Sequence, residues 1–217
     1  MDNLQISLGV IVTLVIVAFL FDFMNGFHDA ANSIATIVST RVLKPFQAVI
    51  WASAFNFLAY FLFHLTVAKT IGKGTIDPAI VDYYIIFGAL IGAILWNIIT
   101  WYYGIPSSSS HALIGGLVGA TVANAGGIAP IIWTGFGKIL LFIIVSPLVG
   151  FLIGGLLLVA VARRVRNVSQ KQAGRWFNKA QLVAAAAYSL GHGGNDAQKT
   201  IGIIWLLLIT AGAATSD

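Results

Sequence analysis

The chain has 217 residues, of which 59% are hydrophobic and only 9% charged, with 12 Lys and Arg against 7 acidic residues, all Asp, and no Cys. An ordinary globular domain carries roughly 25% charged residues, so a soluble domain, a disordered segment, a coiled coil and a disulfide scaffold are all excluded. What remains is an integral membrane protein, and its net charge of +5 reports on topology rather than on affinity for nucleic acid.

Read in chain order, the first apolar run covers residues 4–21, with Asp2 the only charge before it. It lacks the basic flank and small-residue cleavage site of a secretory signal, so a retained span is expected. The run passes directly into Asp22, Asn25, Gly26, His28 and Asp29 and meets basic charge only at Arg41 and Lys44. A second span is predicted over 46–68, followed by a loop holding Lys69, Lys73, Asp77 and Asp82, and a third over 83–103. The polar block Pro106-Ser107-Ser108-Ser109-Ser110-His111 opens a stretch to Asn124 that is too small and polar to face lipid. A long span follows over 131–162, then a basic loop over 163–179 with Arg163, Arg164, Arg166, Lys171, Arg175 and Lys179. The last apolar stretch, 180–214, is interrupted by Gly191 to Thr200.

A crossing takes about 20 residues, so six fit if 107–124 traverses the membrane. Half of the basic residues lie in 163–179, which places that loop in the cytoplasm. Counting back puts Arg41 and Lys44 on the same side. Were 107–124 a re-entrant hairpin instead, this count would put the two basic loops on opposite sides, and the crossing number stays open.

Asp29 and Asp196 lie within otherwise uncharged spans, where an ionisable group is costly and marks a candidate functional site. The blander reading, two carboxylates solvated at span ends, suits Asp29 better than Asp196, which has apolar sequence on both sides. The two also lie in related text. Gly26-Phe27-His28-Asp29-Ala30-Ala31-Asn32-Ser33-Ile34 aligns with Gly193-Gly194-Asn195-Asp196-Ala197-Gln198-Lys199-Thr200-Ile201, sharing Gly, Asp, Ala and Ile, with Ser33 opposite Thr200. In spans of opposite direction, such copies point to an inverted-repeat transporter built from broken helices. Glycine-rich breaks are expected to free carbonyls that, with Asp29 and Asp196, hold a small cation. Half-helix N-termini, with Asn32, Ser33, Asn195 and Thr200, are expected to receive an anion.

In the serine block, Pro suits a helix start, and the hydroxyls suit capping or ligand donation; an ordinary Ser-rich loop explains the block equally well. The neighbouring His111 invites a hydrolase reading, but sequence neighbours seldom meet in triad geometry. His64 reads as a span end, and Trp51, Trp96, Trp101, Trp133 and Trp205 as interface anchors or packing.

The segments 25–33 and 191–200 resemble the paired signature motifs of the inorganic phosphate transporter (PiT) family, and residues 106–111 resemble its Pro-x-Ser-Thr-Thr-His segment. The resemblance runs over essentially the whole chain. It implies an all-α, polytopic bundle with broken or re-entrant helices and an inverted repeat. It further implies carriage of inorganic phosphate with a cation: sodium in some members, protons or a divalent metal–phosphate complex in many bacterial ones. Carried over by motif, Asp29, Asn32, Asn195 and Asp196 form the cation site. Asn32, Ser33, Ser107, Ser108, Ser109, Ser110, Asn195, Asp196, Lys199 and Thr200 form the substrate site. Ser109 stands where the family usually has Thr, which keeps the hydroxyl. Family members are longer and carry a second serine-threonine segment, so a fragment is expected: a first repeat over about 1–162, the cytoplasmic loop 163–179, and the start of a second repeat over 180–217.

The expected function is cation-coupled phosphate transport in the plasma membrane, the inner membrane of a bacterium. The rivals are a permease or channel for another oxyanion such as sulfate, and a membrane-embedded hydrolase. A channel needs no carboxylates at the midplane, whereas a symporter needs a place for the coupling ion. The expected partners are phosphate and the lipid bilayer, without nucleic acid or an enzymatic cofactor; a homo-oligomer is left open.

Overall fold

Apolar runs with few helix breakers leave the backbone one economical solution in lipid, which is to satisfy every peptide group within a helix. The computed structural model describes residues 7–62 and 74–214. Among these residues there are six α-helices: α1 (Leu8–Ser39), α2 (Pro45–Leu62), α3 (Tyr83–Tyr103), α4 (Ser109–Ala125), α5 (Trp133–Val165) and α6 (Gln170–Thr210), with a 3-10 turn over Pro78–Ile80. Four of them, α1, α2, α3 and α5, are long and apolar enough to cross a membrane. His64, Lys69 and Lys73 lie outside the described residues.

Local chemistry sets the helix ends. The Asp82 carboxylate accepts the Ile85 amide at the start of α3, and Ser108 Oγ accepts the His111 amide at the start of α4. Both α3 and α4 stop at a glycine in the left-handed region, Gly104 and Gly126.

Polar contacts fix the relative directions. Asp22 meets Thr200, Asn25 meets Asp196 and Lys199, and Thr40 meets Gln181, so α1 and α6 run antiparallel. The two signature segments therefore face each other in opposite senses, as expected of an inverted repeat. The core around them joins Leu14, Ala18 and Phe21 of α1 to Ile85, Ile86, Leu90 and Ala93 of α3, Leu113 and Leu117 of α4, and Ile203, Leu206 and Leu207 of α6. Small residues set the closest approaches: a Cβ on Gly116 would stand 2.7 Å from the Ala89 carbonyl oxygen, and one on Gly193 2.5 Å from Asn56 Cα. By contrast, α5 has no buried residue and presents an apolar surface along its length.

Helices α3 and α4 form a hairpin. Its two ends are tied by the isolated bridge Ile76↔Ile131 and by bonds from the Asp77 amide to the Pro130 carbonyl (2.9 Å) and from the Ile132 amide to the Thr75 carbonyl (3.0 Å). Its tip reaches Asp29, which stands about 15 Å along the axis from the end of α1 at 1.5 Å per residue. The serine block thus opens the returning arm of a hairpin that comes back to the side it left. This removes the conflict over the crossing number, because a there-and-back pair leaves both basic connections at the same end of the bundle.

Two expectations are corrected. The signature segments do not break their helices: α1 is continuous through 25–33, and α6 through 191–200. Neither segment contains Pro, and a mid-helix Gly costs only about 1 kcal/mol, which the close packing of Gly193 against α2 offsets. The basic stretch 163–179 is mostly helix as well, leaving only Arg166–Ser169 between α5 and α6. Arg, Lys and Gln are good helix formers, and past the hydrocarbon nothing requires the helix to end.

Candidate functional site

Because α1 is unbroken, Asp22, Asn25, Asp29 and Ser33 fall at spacings of three, four and four and share one face. On α6 the same rule aligns His192, Asp196 and Lys199. The antiparallel packing brings these two polar stripes together.

Asp196 sits at the centre. Its Oδ1 lies 2.8 Å from Lys199 Nζ, and its Oδ2 lies 3.0 Å from His192 Nε2 and accepts Asn25 Nδ2 at 3.1 Å. Lys199, only 2% exposed, also donates to Asn25 Oδ1 at 3.0 Å. Asp29, 6% exposed, is held from the hairpin: Ser109 Oγ donates to its Oδ2 at 3.1 Å. Its Oδ1 lies 3.1 Å from His28 Nδ1, and His28 Nε2 lies 3.2 Å from Thr100 Oγ1 on α3. Thr200 Oγ1 donates to Asp22 Oδ1 at 2.7 Å. One ligand atom each of Asp29, His192 and Asp196 falls within 4.8 Å of the others, a spacing that suits a bound cation. Burial at this depth excludes the reading of Asp29 as a solvated span end.

Two cavities flank the Asp196–Lys199 pair. One, of about 360 Å³ between α1, α2 and α6, is lined by Ser33, Asn56, His192 and Asp196 among others. The other, of about 1140 Å³ between α4, α5 and α6, is lined by Ser110, His111, Lys138, Asn195 and Lys199.

Of the residues expected from sequence, Asp29, Ser109, Asp196, Lys199 and Thr200 join the buried network. Ser33 and Asn195 line opposite cavities. Asn32 is exposed, as is Asn195, so neither joins the two carboxylates in a cation site. The reason is geometric: at about 100° per residue, Asn32 is turned about 100° from Ser33, which holds the buried stripe, and Asn195 about 100° from Asp196, so both point away from it. The four serines also separate. Ser107 accepts Trp96 Nε1 at 2.9 Å, Ser108 caps α4, Ser109 binds Asp29, and Ser110 faces the larger cavity. Residues that sequence reading did not assign to the site are Asn25 and His192, which complete the Asp196 shell, Asn56 from α2, Thr100 and Lys138. Helical spacing from Asp29 and Asp196 was the available signal for Asn25 and His192; none pointed to Asn56.

Residues 25–173 match the phosphate transporter family. The chain belongs to that family. This phosphate transporter family chain is 53% identical over 212 residues to a probable low-affinity inorganic phosphate transporter of Rhizobium meliloti, covering 98% of this chain and 63% of that protein. It is 46% identical over 215 residues to a protein of the same description from Bacillus subtilis, covering 98% of this chain and 64% of that protein. The chain therefore spans less than two thirds of the length of these relatives. Among solved structures, one titled the sodium-dependent phosphate transporter aligns with a TM-score of 0.85 at 23% identity, over 94% of this chain and 68% of that one, which places the fold. The family and these relatives are transporters rather than enzymes, and the protein is an integral membrane protein.

Proposed function

We propose that this chain forms the binding core of a transporter that carries inorganic phosphate across the membrane together with a cation. The observation that carries this reading is the meeting of Asp29 and Asp196 from antiparallel signature segments in a buried network with Lys199. Asp22, Asp29 and Asp196 set three carboxylates against one ammonium, and that excess repels an anion in a poorly screened interior. Phosphate enters favourably only with compensating positive charge, and this requirement couples it to a cation, sodium or proton. The larger cavity supplies the anion's side: two ammonium groups, His111, the Ser110 hydroxyl and the Asn195 amide. Phosphate still carries a proton to donate at neutral pH, so nearby carboxylate acceptors tolerate it and disfavour sulfate. The names of the relatives support the same substrate.

Counterflow of radiolabelled phosphate in liposomes, with sodium and pH gradients imposed separately, tests the reading. Phosphate exchange driven by one of the two gradients and not matched by sulfate is expected. Equal exchange of both anions without dependence on either gradient would overturn it.

A further inference from the structure

The connection between α5 and α6 carries a charge that nothing in the chain balances. Arg163, Arg164, Arg166, Lys171, Arg175 and Lys179 are all exposed, and no Asp or Glu occurs between Asp82 and Asp196. Arg41 and Lys44, also exposed, lie at the same end, where Thr40 Oγ1 donates to Gln181 Oε1 at 2.7 Å. Among the described residues, ion pairs form only inside the buried network around Asp29 and Asp196. The first turns of α6 also divide into faces. Gln181 meets α1, the Leu182 carbonyl accepts Trp51 Nε1 of α2 at 3.3 Å, and Ala185 is buried, so this side packs on the bundle. Lys171, Arg175 and Lys179, spaced by four residues, form an exposed stripe beside it. Next to them Trp176, Ala180 and Val183 form an exposed apolar stripe, with Trp176 54% and Val183 70% exposed.

We propose that this end of the molecule is a binding surface for anionic phospholipid headgroups, with Lys171, Arg175 and Lys179 at its centre and Trp176 as its interfacial anchor. A row of cations beside an aromatic and aliphatic stripe fits a layer that is charged at one depth and apolar at the next. From Lys171 to Lys179 the helix rises about 12 Å at 1.5 Å per residue, more than the roughly 5–8 Å of headgroup on each side of the hydrocarbon. Long Lys and Arg stems close that difference by bending toward the phosphates. The other arm arrives in the same way, since the exposed apolar surface of α5 ends directly in Arg163 and Arg164. Free phosphate is the poorer match. None of these basic residues lines either cavity beside Asp196, and an open array gives a small, well-hydrated anion no enclosure. A lipid phosphodiester is kept at the surface by its acyl chains, so several weak contacts act together. The inference goes beyond phosphate transport and requires only that the chain is a membrane protein.

Native mass spectrometry of the purified chain in detergent, offered equimolar phosphatidylglycerol and phosphatidylcholine, counts the lipids it retains. The wild type is expected to keep phosphatidylglycerol in preference to phosphatidylcholine, and the preference to fall as salt rises. A basic residue near an anionic membrane surface strengthens attachment by about fivefold. Lys171→Gln, Arg175→Gln and Lys179→Gln combined should therefore lower the preference by about tenfold or more. Lys171→Arg, Arg175→Lys and Lys179→Arg combined, which keeps every charge, should retain it. All three side chains are exposed, so both variants should melt with the wild type. No preference in the wild type, or an undiminished preference in the Gln variant, would overturn the surface. Displacement of the lipid by equimolar inorganic phosphate would overturn it as well, by assigning the patch to the free anion.

Discussion

Asp196 and Lys199 are a buried pair, and such pairs are revealed by breaking one partner. Asp196→Asn takes the paired carboxylate from the Lys199 ammonium, 2% exposed, and leaves it donating to the neutral Asn25 Oδ1. An uncompensated buried charge costs about 3–5 kcal/mol. Asp29→Asn is milder, because an amide oxygen still accepts from Ser109 and no buried cation is stranded. Both variants are expected to lose coupled phosphate uptake, but Asp196→Asn should melt well below Asp29→Asn in detergent. Adding Lys199→Met to Asp196→Asn should restore much of the melting temperature without restoring uptake. Equal melting temperatures for the two single variants would show that the pair is solvated.

The serines give a second test at this scale. Since Ser110 alone of the serine block 107–110 lines the cavity with both lysines, Ser110→Asp should abolish phosphate uptake by placing a like charge beside the anion. Ser110→Ala removes one neutral donor worth about 0.5–1.5 kcal/mol and should weaken apparent affinity by about tenfold or less. Ser107→Ala, which loses only the Trp96 contact at the hairpin tip, should leave apparent affinity near that of the wild type. Uptake titrated against phosphate separates the three; an active Ser110→Asp variant would move the anion away from this cavity.

At the scale of the helix, glycine does two opposite things in α6. A Cβ on Gly193 would lie 2.5, 2.6 and 2.9 Å from Asn56 Cα, O and C, all backbone atoms that cannot step aside, whereas a Cβ on Gly191 meets nothing within 4 Å. Gly193→Ala should therefore cost about 1–3 kcal/mol through forced separation of α2 and α6. Gly191→Ala should gain about 0.5–1 kcal/mol from helix propensity. Thermal unfolding in detergent reads the sign of each, and a stabilised Gly193→Ala variant would contradict the packing of these helices. The same contrast explains what sequence reading could reach. Composition and run length locate the six helices of the described residues, because hydrophobic length is a one-dimensional signal. The signature segments were expected to unwind because glycines cluster there, but whether a glycine breaks a helix or lets another helix approach is decided by the partner. Asn56 contributes through that partner alone and carried no local mark. The antiparallel meeting of Asp29 and Asp196, by contrast, followed from the repeated text and the direction of the spans.

For the whole molecule, the hydrogen bonds decide which connections share a side, and charge then decides which side it is. The bridged segments around Ile76 and Ile131 bind the start of α3, the end of α4 and the start of α5 together at one end. At 33 residues α5 reaches about 50 Å, so the turn into α6 lies at the other end, where Gln181 also meets Thr40 beyond the end of α1. That second end collects Arg41, Lys44 and the six basic residues of 163–179, against Asp77 and Asp82 at the first. Short connections rich in Lys and Arg stay in the cytoplasm, so the end holding Thr40 and Ser169 should face inward. The chain has no cysteine, which makes single-cysteine labelling direct. Ser39→Cys and Ser169→Cys should both resist an impermeant thiol reagent in intact cells and react once the membrane is opened. Ile128→Cys, 58% exposed before the start of α5, should react at once from outside. Labelling of all three from the same side would reject the bundle topology. Labelling of the first two alone would keep the fold and invert its orientation in the membrane.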